Sequence, residues 1–194
     1  MDVVILPLTE ERWPDLEAVF LGKGCSMARG CWCMYYRESG KVTPPAGVTA
    51  TEDRRERAKA LAGADPPAGL LAYADGAPVG WVAVAPRSQY PRLVRSPVAK
   101  AVDDLPVWSV VCFVVPAPHR GRGVARALLR GAVEHARAHG AVALEAYPID
   151  KPGRGHDTFL WNGVRSMFER EGFAEVARRR PERPVMRRML QDAT

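Results

Sequence analysis

Arg120, Gly121, Arg122 and Gly123 stand where one hydrophobic pattern gives way to another. Before them runs Val114-Val115-Pro116-Ala117-Pro118, the end of an apolar, β-branched stretch. After them Val124 and Ala125 open a helical pattern. Residues of these types in this order make a strand–loop–helix site suited to a pyrophosphate. The two glycines lack a Cβ, so the backbone can turn sharply and approach a ligand closely. The first N–H groups of a helix have no intrahelical acceptors, and the helix dipole adds to their attraction for anions. The two arginines bring positive charge to the same place. A dinucleotide fold also uses such glycines, but no Gly-x-Gly-x-x-Gly follows the first strand.

These residues need elements to position them. Residues 3–6 read as a first strand, and Thr9 with Glu10 and Glu11 as the start of a helix to about Phe20. Residues 22–47 read as loop-rich, with Cys31-Trp32-Cys33-Met34-Tyr35-Tyr36-Arg37 as an apolar, aromatic cluster. Thr49-x-x-Glu52 is a capping box for a charged helix to about Leu61. Residues 70–74 and 78–85 read as strands joined across Asp75-Gly76, a hairpin signal. Residues 87–106 carry three prolines and read as irregular. Residues 107–115 are the most strand-like run, followed by a helix with Val124, Leu128 and Ala132 on one stripe and Gly140 as its stop. Residues 141–147 read as a strand buried on both faces. A polar loop at 151–157, a helix over 158–171 and two strands across Pro181-Glu182 complete the chain.

The run from Arg120 to Ala125, with Arg120, Gly123 and Ala125 at the diagnostic positions, resembles motif A of the GNAT superfamily, the acyl-coenzyme A-dependent N-acyltransferases. The element order β-α-α-β-β-β-α-β-α-β-β is similar to that family's over nearly the whole chain. The resemblance implies an α/β GNAT fold: a central mixed, mostly antiparallel sheet, splayed between strands 4 and 5 and flanked by helices. It implies one domain over residues 1–194, with an acceptor side at about 9–62 and a cofactor-binding core at about 107–173. It further implies that acetyl-coenzyme A lies in the splay, its pantetheine arm along the backbone of Phe113, Val114 and Val115. Its pyrophosphate would then rest on the N–H groups of Arg120, Gly121, Arg122, Gly123, Val124 and Ala125. Many members carry a tyrosine four residues before a Gly-Phe pair as proton donor; here that position is Phe168, ahead of Gly172-Phe173, and the position that often carries asparagine is Trp161.

With that tyrosine missing, Glu145 and Tyr147 become the catalytic candidates, as base and acid, because they alternate on the strand beside the gap. Ser109 and Cys112 lie on the facing strand. Trp32, Tyr35 and Tyr36, with His156 and Asp157 before the last helix, are the expected acceptor-binding residues, aromatic faces being suited to a cation. Glu38 and Asp150 are further carboxylates that could draw an ammonium group. The competing reading of each is plain packing or ion pairing.

The 194 residues, 47% hydrophobic and 26% charged, suit one globular core. The net charge of +6 gathers at residues 120–137 and 178–188 without the interleaved aromatics of a single-strand-binding groove, which argues against nucleic acid as partner. No apolar run is long enough to span a membrane, and the start has no basic, cleavable leader. The expectation is a cytoplasmic protein without a membrane partner, with room left for a homodimer. Cys25, Cys31, Cys33 and Cys112 do not follow a zinc spacing, so no metal is expected. The functional expectation is acetyl transfer from acetyl-coenzyme A to a primary amine, of a small molecule rather than a protein, in a ternary complex. A non-catalytic acyl-coenzyme A-binding or regulatory protein and a protein N-acetyltransferase are the alternatives.

Overall fold

The computed structural model describes residues 2–150 and 161–191. Over the described residues the sheet has seven strands: β1 (Val4–Pro7), β2 (Gly69–Ala74), β3 (Ala77–Pro86), β4 (Trp108–Val114), β5 (Ala143–Ala146), β6 (Ala174–Arg180) and β7 (Arg183–Met189). Their spatial order is β1-β2-β3-β4-β5-β7-β6, and only β4 and β5 run parallel. The β2–β3 hairpin closes on Asp75 and Gly76, both left-handed at φ 50° and 77°. Positive φ at both central residues is what a two-residue hairpin loop of matching twist requires.

Strand side chains alternate between two cores. On one face Leu70, Val82, Val110 and Leu144 meet the apolar stripe of α5 (Val124–Ala138), formed by Val124, Leu128, Leu129, Ala132, Val133 and Ala136. Two glycines let α5 come close. A Cβ on Gly80 would lie 2.8 Å from Val124 Cγ1, and one on Gly131 would lie 2.6 Å from Ile5 Cγ2. The helix stops at left-handed Gly140, where the Gly140 and Ala141 N–H groups return to the Arg137 and Ala136 carbonyls, both at 3.0 Å.

The other face packs Leu71, Trp81, Ala83 and Val111 against α1 (Trp13–Leu21), α2 (Ser26–Cys31) and α3 (Ala50–Lys59), with Tyr90 and Leu93 of the 87–106 segment. That segment is less irregular than its prolines suggest, because Pro91 opens a single helical turn, α4 (Pro91–Val94). The capping box at α3 forms in full: Glu52 N–H reaches Thr49 Oγ1 at 3.2 Å, and Thr49 N–H reaches Glu52 Oε2 at 2.8 Å. Thr9, by contrast, makes no side-chain cap; the chain enters α1 through a 3₁₀ turn over Glu10–Arg12.

The expected helix over 158–171 is also corrected. Its described part is α6 (Arg165–Glu169) alone, because Gly163 is left-handed and Val164 extended. The polar loop before it, with His156 and Asp157, lies outside the described residues. Among the described residues no helix is long and apolar enough to cross a membrane.

Candidate active site

The parallel pairing of β4 with β5 covers Trp108↔Leu144, Ser109↔Glu145 and Val110↔Ala146, then stops. β4 runs on to Val114, while the chain after β5 turns aside and Ile149 bridges to Val164. The edge of β4 beyond Val110 therefore faces a gap rather than a strand. At its inner end the gap is lined by residues 161 and 162. Phe113 N–H donates to the Trp161 carbonyl at 2.6 Å, and Asn162 Nδ2 donates to the Val111 carbonyl at 2.8 Å. Of the three expected pantetheine contacts, Phe113 thus has its N–H already engaged. By the alternation of a strand, the Phe113 carbonyl and the Val115 N–H point the same way toward an added strand, the carbonyl taking only a long contact from Cys112 Sγ at 3.9 Å.

The 120–125 loop stands at the open end. Gly121 and Gly123 are left-handed (φ 71° and 85°), and nothing lies within 4 Å of where a Cβ on either would point. Side chains there would be strained, although there is open space for them. The N–H groups of Val124 and Ala125 begin a helix of 15 residues, so they carry the positive end of its dipole. The two arginines divide their work. Arg120 donates from Nε to the Val115 carbonyl at 2.9 Å and from NH2 to the Gly24 carbonyl at 2.8 Å, which ties the loop to the 22–24 turn. Arg122 is exposed, and no ion pair engages it among the described residues. The loop thus fits a pyrophosphate, with Arg122 as an exposed cation beside it and Arg120 as the brace.

Glu145 and Tyr147 do share one face, but inside a buried ion-pair cluster. Glu145, 1% exposed, receives Arg187 at 2.7 Å and Arg87 at 3.4 Å, and Tyr147 Oη donates to it at 3.0 Å. Ser109 Oγ lies 2.9 Å from Tyr147 Oη, Arg87 also reaches that hydroxyl, and Asp103 holds Arg187 from outside at 2.7 Å. Burial, and then the Glu145 charge, push the Tyr147 phenol far up. The geometry is that of ion pairing: a satisfied charge cluster joining β4, β5 and β7 to the 87–106 segment.

The aromatic segment splits in three directions. Trp32 and Cys33 are both left-handed (φ 48° and 54°), and this turn sends the Trp32 ring inward. It stacks on Phe20 at 5.1 Å and on Trp13 at 5.8 Å and is 4% exposed, so its expected place in an acceptor wall is corrected to a place in the core. Tyr35 is half exposed, with Arg92 over its ring at 4.1 Å, so its face already carries a cation. Tyr36 alone points to the gap: its hydroxyl accepts from Asn162 Nδ2 at 3.1 Å.

The carboxylates expected to attract an ammonium group are also engaged. Glu38 is 5% exposed and held by Arg54 and Arg57; Asp150 is held by Arg165 at 3.1 Å and Arg178 at 2.7 Å. Phe168 is fully buried edge-on to Phe113 and Phe173. The four thiols are free, and burial pushes Cys25 up, while sulfur–sulfur hydrogen bonding and burial do so for Cys31 and Cys33. Among the described residues no group of three or more histidine, cysteine or acidic side chains is placed to hold a metal. Asn162, 3% exposed, is the site residue that sequence reasoning misses. Its signal was a polar residue between Trp161 and Gly163, one place beyond the position where the family pattern puts asparagine.

A model of the acetyltransferase (GNAT) family matches residues 31–153. The chain belongs to this family, whose members use acetyl-coenzyme A, and is a transferase. Solved structures of similar fold include the PaiA N-acetyltransferase of Thermoplasma acidophilum in complex with coenzyme A (15% identity, TM-score 0.53, 97% of this chain and 99% of that one). Another is the polyamine N-acetyltransferase of Drosophila melanogaster, which catalyses formation of N-acetylagmatine (16%, TM-score 0.54, 96% and 98%). A third is an N-acetyltransferase of Kribbella flavida (18%, TM-score 0.50), of which the match covers 90% of this chain but 33% of the other. No curated protein matches the chain in sequence.

Proposed function

We propose that the chain moves an acetyl group from acetyl-coenzyme A to the primary amine of a small molecule, by direct transfer in a ternary complex. The observation that carries this reading is the gap between β4 and β5 with the start of α5 at its open end. When bound, acetyl-coenzyme A supplies an activated thioester. The chain's part is to hold and orient. The N–H groups of residues 121–125 and Arg122 hold the pyrophosphate, Arg120 fixes their loop, and the Phe113 carbonyl and Val115 N–H align the arm. Residues 107–173 act as the cofactor core and residues 9–62 as the acceptor side of one catalytic unit. Placing two reactants at the closed end of the gap converts a bimolecular step into a nearly unimolecular one, a large share of such a rate enhancement.

A small amine is favoured over a protein because similar folds include enzymes named for polyamine and agmatine acetylation. A cleft of about 560 Å³, lined by Pro97, Val98, Ile149, Arg180, Glu182 and Arg183, is of small-molecule size. The test is release of free thiol from acetyl-coenzyme A over a panel of primary amines. Amine-dependent release supports the reading; coenzyme A binding with no release across the panel points to the non-catalytic alternative.

A further inference from the structure

A thiolate leaving at the closed end of the gap needs a proton, and the described residues offer few hydroxyls there. Phe168 has none. Ser109 and Tyr147 are locked to Glu145 and Arg87 on the far side of the β4–β5 pairing. Tyr36 is different. The arm of a cofactor whose pyrophosphate rests at residues 121–125 runs back along β4 from Val115 to Phe113, about 7 Å at the rise of a strand. Its sulfur end then falls where Trp161 and Asn162 close the edge of β4. Asn162 Nδ2 binds the Val111 carbonyl at 2.8 Å and, with its second hydrogen, the Tyr36 hydroxyl at 3.1 Å. One buried amide therefore fixes a hydroxyl from the acceptor-side segment at that end of β4.

We infer that Tyr36, positioned by Asn162, is the proton donor to the leaving sulfur. This inference rests on the cofactor lying in the gap as proposed. The amine nitrogen forms its bond to the acetyl carbon, the carbon–sulfur bond breaks with its electron pair on sulfur, and the Tyr36 proton passes to that sulfur. The proton shed by the amine nitrogen returns through water to the Tyr36 oxygen, so the charges balance. Burial pushes the Tyr36 phenol up; the Asn162 hydrogen bond and the charge of Arg183 on β7 pull it down, while Cys112 on β4 and neighbouring Tyr35 raise it. The net direction is upward, so Tyr36 carries its proton at neutral pH and has one to give. The T-shaped contact with Tyr35, at 5.0 Å, limits rotation of its ring.

The experiment compares the wild type with Tyr36→Phe and Asn162→Ala, using putrescine, agmatine and lysine as acceptors and free thiol as readout. Tyr36→Phe should lower kcat by about a hundredfold or more, the usual contribution of a positioned acid. The KM for acetyl-coenzyme A, the affinity for coenzyme A measured by calorimetry and the melting temperature should stay as in the wild type. Asn162→Ala should lower kcat less. In the ligand-free protein, phenolate absorbance that is lost in Tyr36→Phe should titrate at higher pH in Asn162→Ala, because the Asn162 contact holds Tyr36 down. A kcat for Tyr36→Phe close to wild type, or a loss that tracks coenzyme A affinity instead of kcat, overturns the assignment while leaving the acetyltransferase reading intact. Coenzyme A binding without thiol release from the wild type, with every amine, overturns both.

Discussion

Replacing Glu145 by glutamine separates a structural carboxylate from a catalytic one. The side chain is 1% exposed, and its two guanidinium partners are nearly as buried, Arg187 at 10% and Arg87 at 13%. Breaking a buried pair by removing one charge costs about 3–5 kcal/mol, because the partner is left uncompensated in a poor solvent. Two features reduce that here. Glutamine keeps an oxygen that can accept from Arg187, and Asp103 still holds Arg187 from outside at 2.7 and 2.9 Å. Arg87 has no second carboxylate among the described residues; its other partners are the Tyr147 hydroxyl and the Ala99 carbonyl. The expected loss is therefore about 2–4 kcal/mol, the buried-pair cost lowered by these two contacts. For a chain of this size each kcal/mol moves the melting temperature by about 2–4 °C, so a drop on the order of 10 °C is expected. Thermal melting and urea titration measure it, and thiol release well below the new melting temperature measures activity. The account expects a clear loss of stability with turnover kept in the folded protein. A melting temperature like the wild type's, with turnover abolished, would refute the structural reading and restore Glu145 as base.

Three further outcomes follow from the same packing. Trp32→Ala should cost about 3–5 kcal/mol as a large aromatic lost from a core, with acceptor KM unchanged in the folded protein; a raised acceptor KM at full stability would return Trp32 to the pocket. Phe168→Leu should cost about 1–2 kcal/mol, a partial version of a large-to-small change, with kcat little affected. Burial alone would raise the Glu171 carboxyl, but Arg130 and Arg126 outweigh it and hold the group below the usual carboxylate range. Its stabilisation is therefore complete above the ordinary carboxylate pKa and is lost as pH falls through the lower folded value, so Glu171→Gln should flatten the acid limb of stability against pH, and an unaltered limb in denaturant titrations would contradict this.

The sheet, its hairpin and the loop at 120–125 were legible because each is written locally. Asp75-Gly76 demands a two-residue turn, Thr49 and Glu52 cap one helix start, and Gly140 ends a helix with a continuous apolar stripe. The loop at 120–125 was readable for the same reason, since two glycines between a strand and a helix restrict what the backbone can do. What the sequence hid depends on contacts between distant residues. That Glu145 meets Arg187, Arg87 and Tyr147 is a matter of register between β5 and β7 and of the path of residues 87–106. That Trp32 turns inward follows from left-handed backbone at two non-glycine residues, which no propensity anticipates. Asn162 joins Val111 and Tyr36 across 51 and 126 residues, and it stands in a turn where periodicity carries no signal. The shortened α6 follows from Gly163, which reads equally well as a tolerated helical residue until its φ of 76° is seen.

The central claim is that coenzyme A is held by backbone at the start of α5, and calorimetric titration of coenzyme A into wild type and Gly123→Val tests it most directly. Gly123 is left-handed at φ 85°, and a β-branched valine there would be strained, so the loop could no longer present the N–H groups of the helix start in this arrangement. The account predicts saturable binding to the wild type and none detectable to a Gly123→Val protein that remains folded by circular dichroism. Undiminished binding to the folded variant would contradict it.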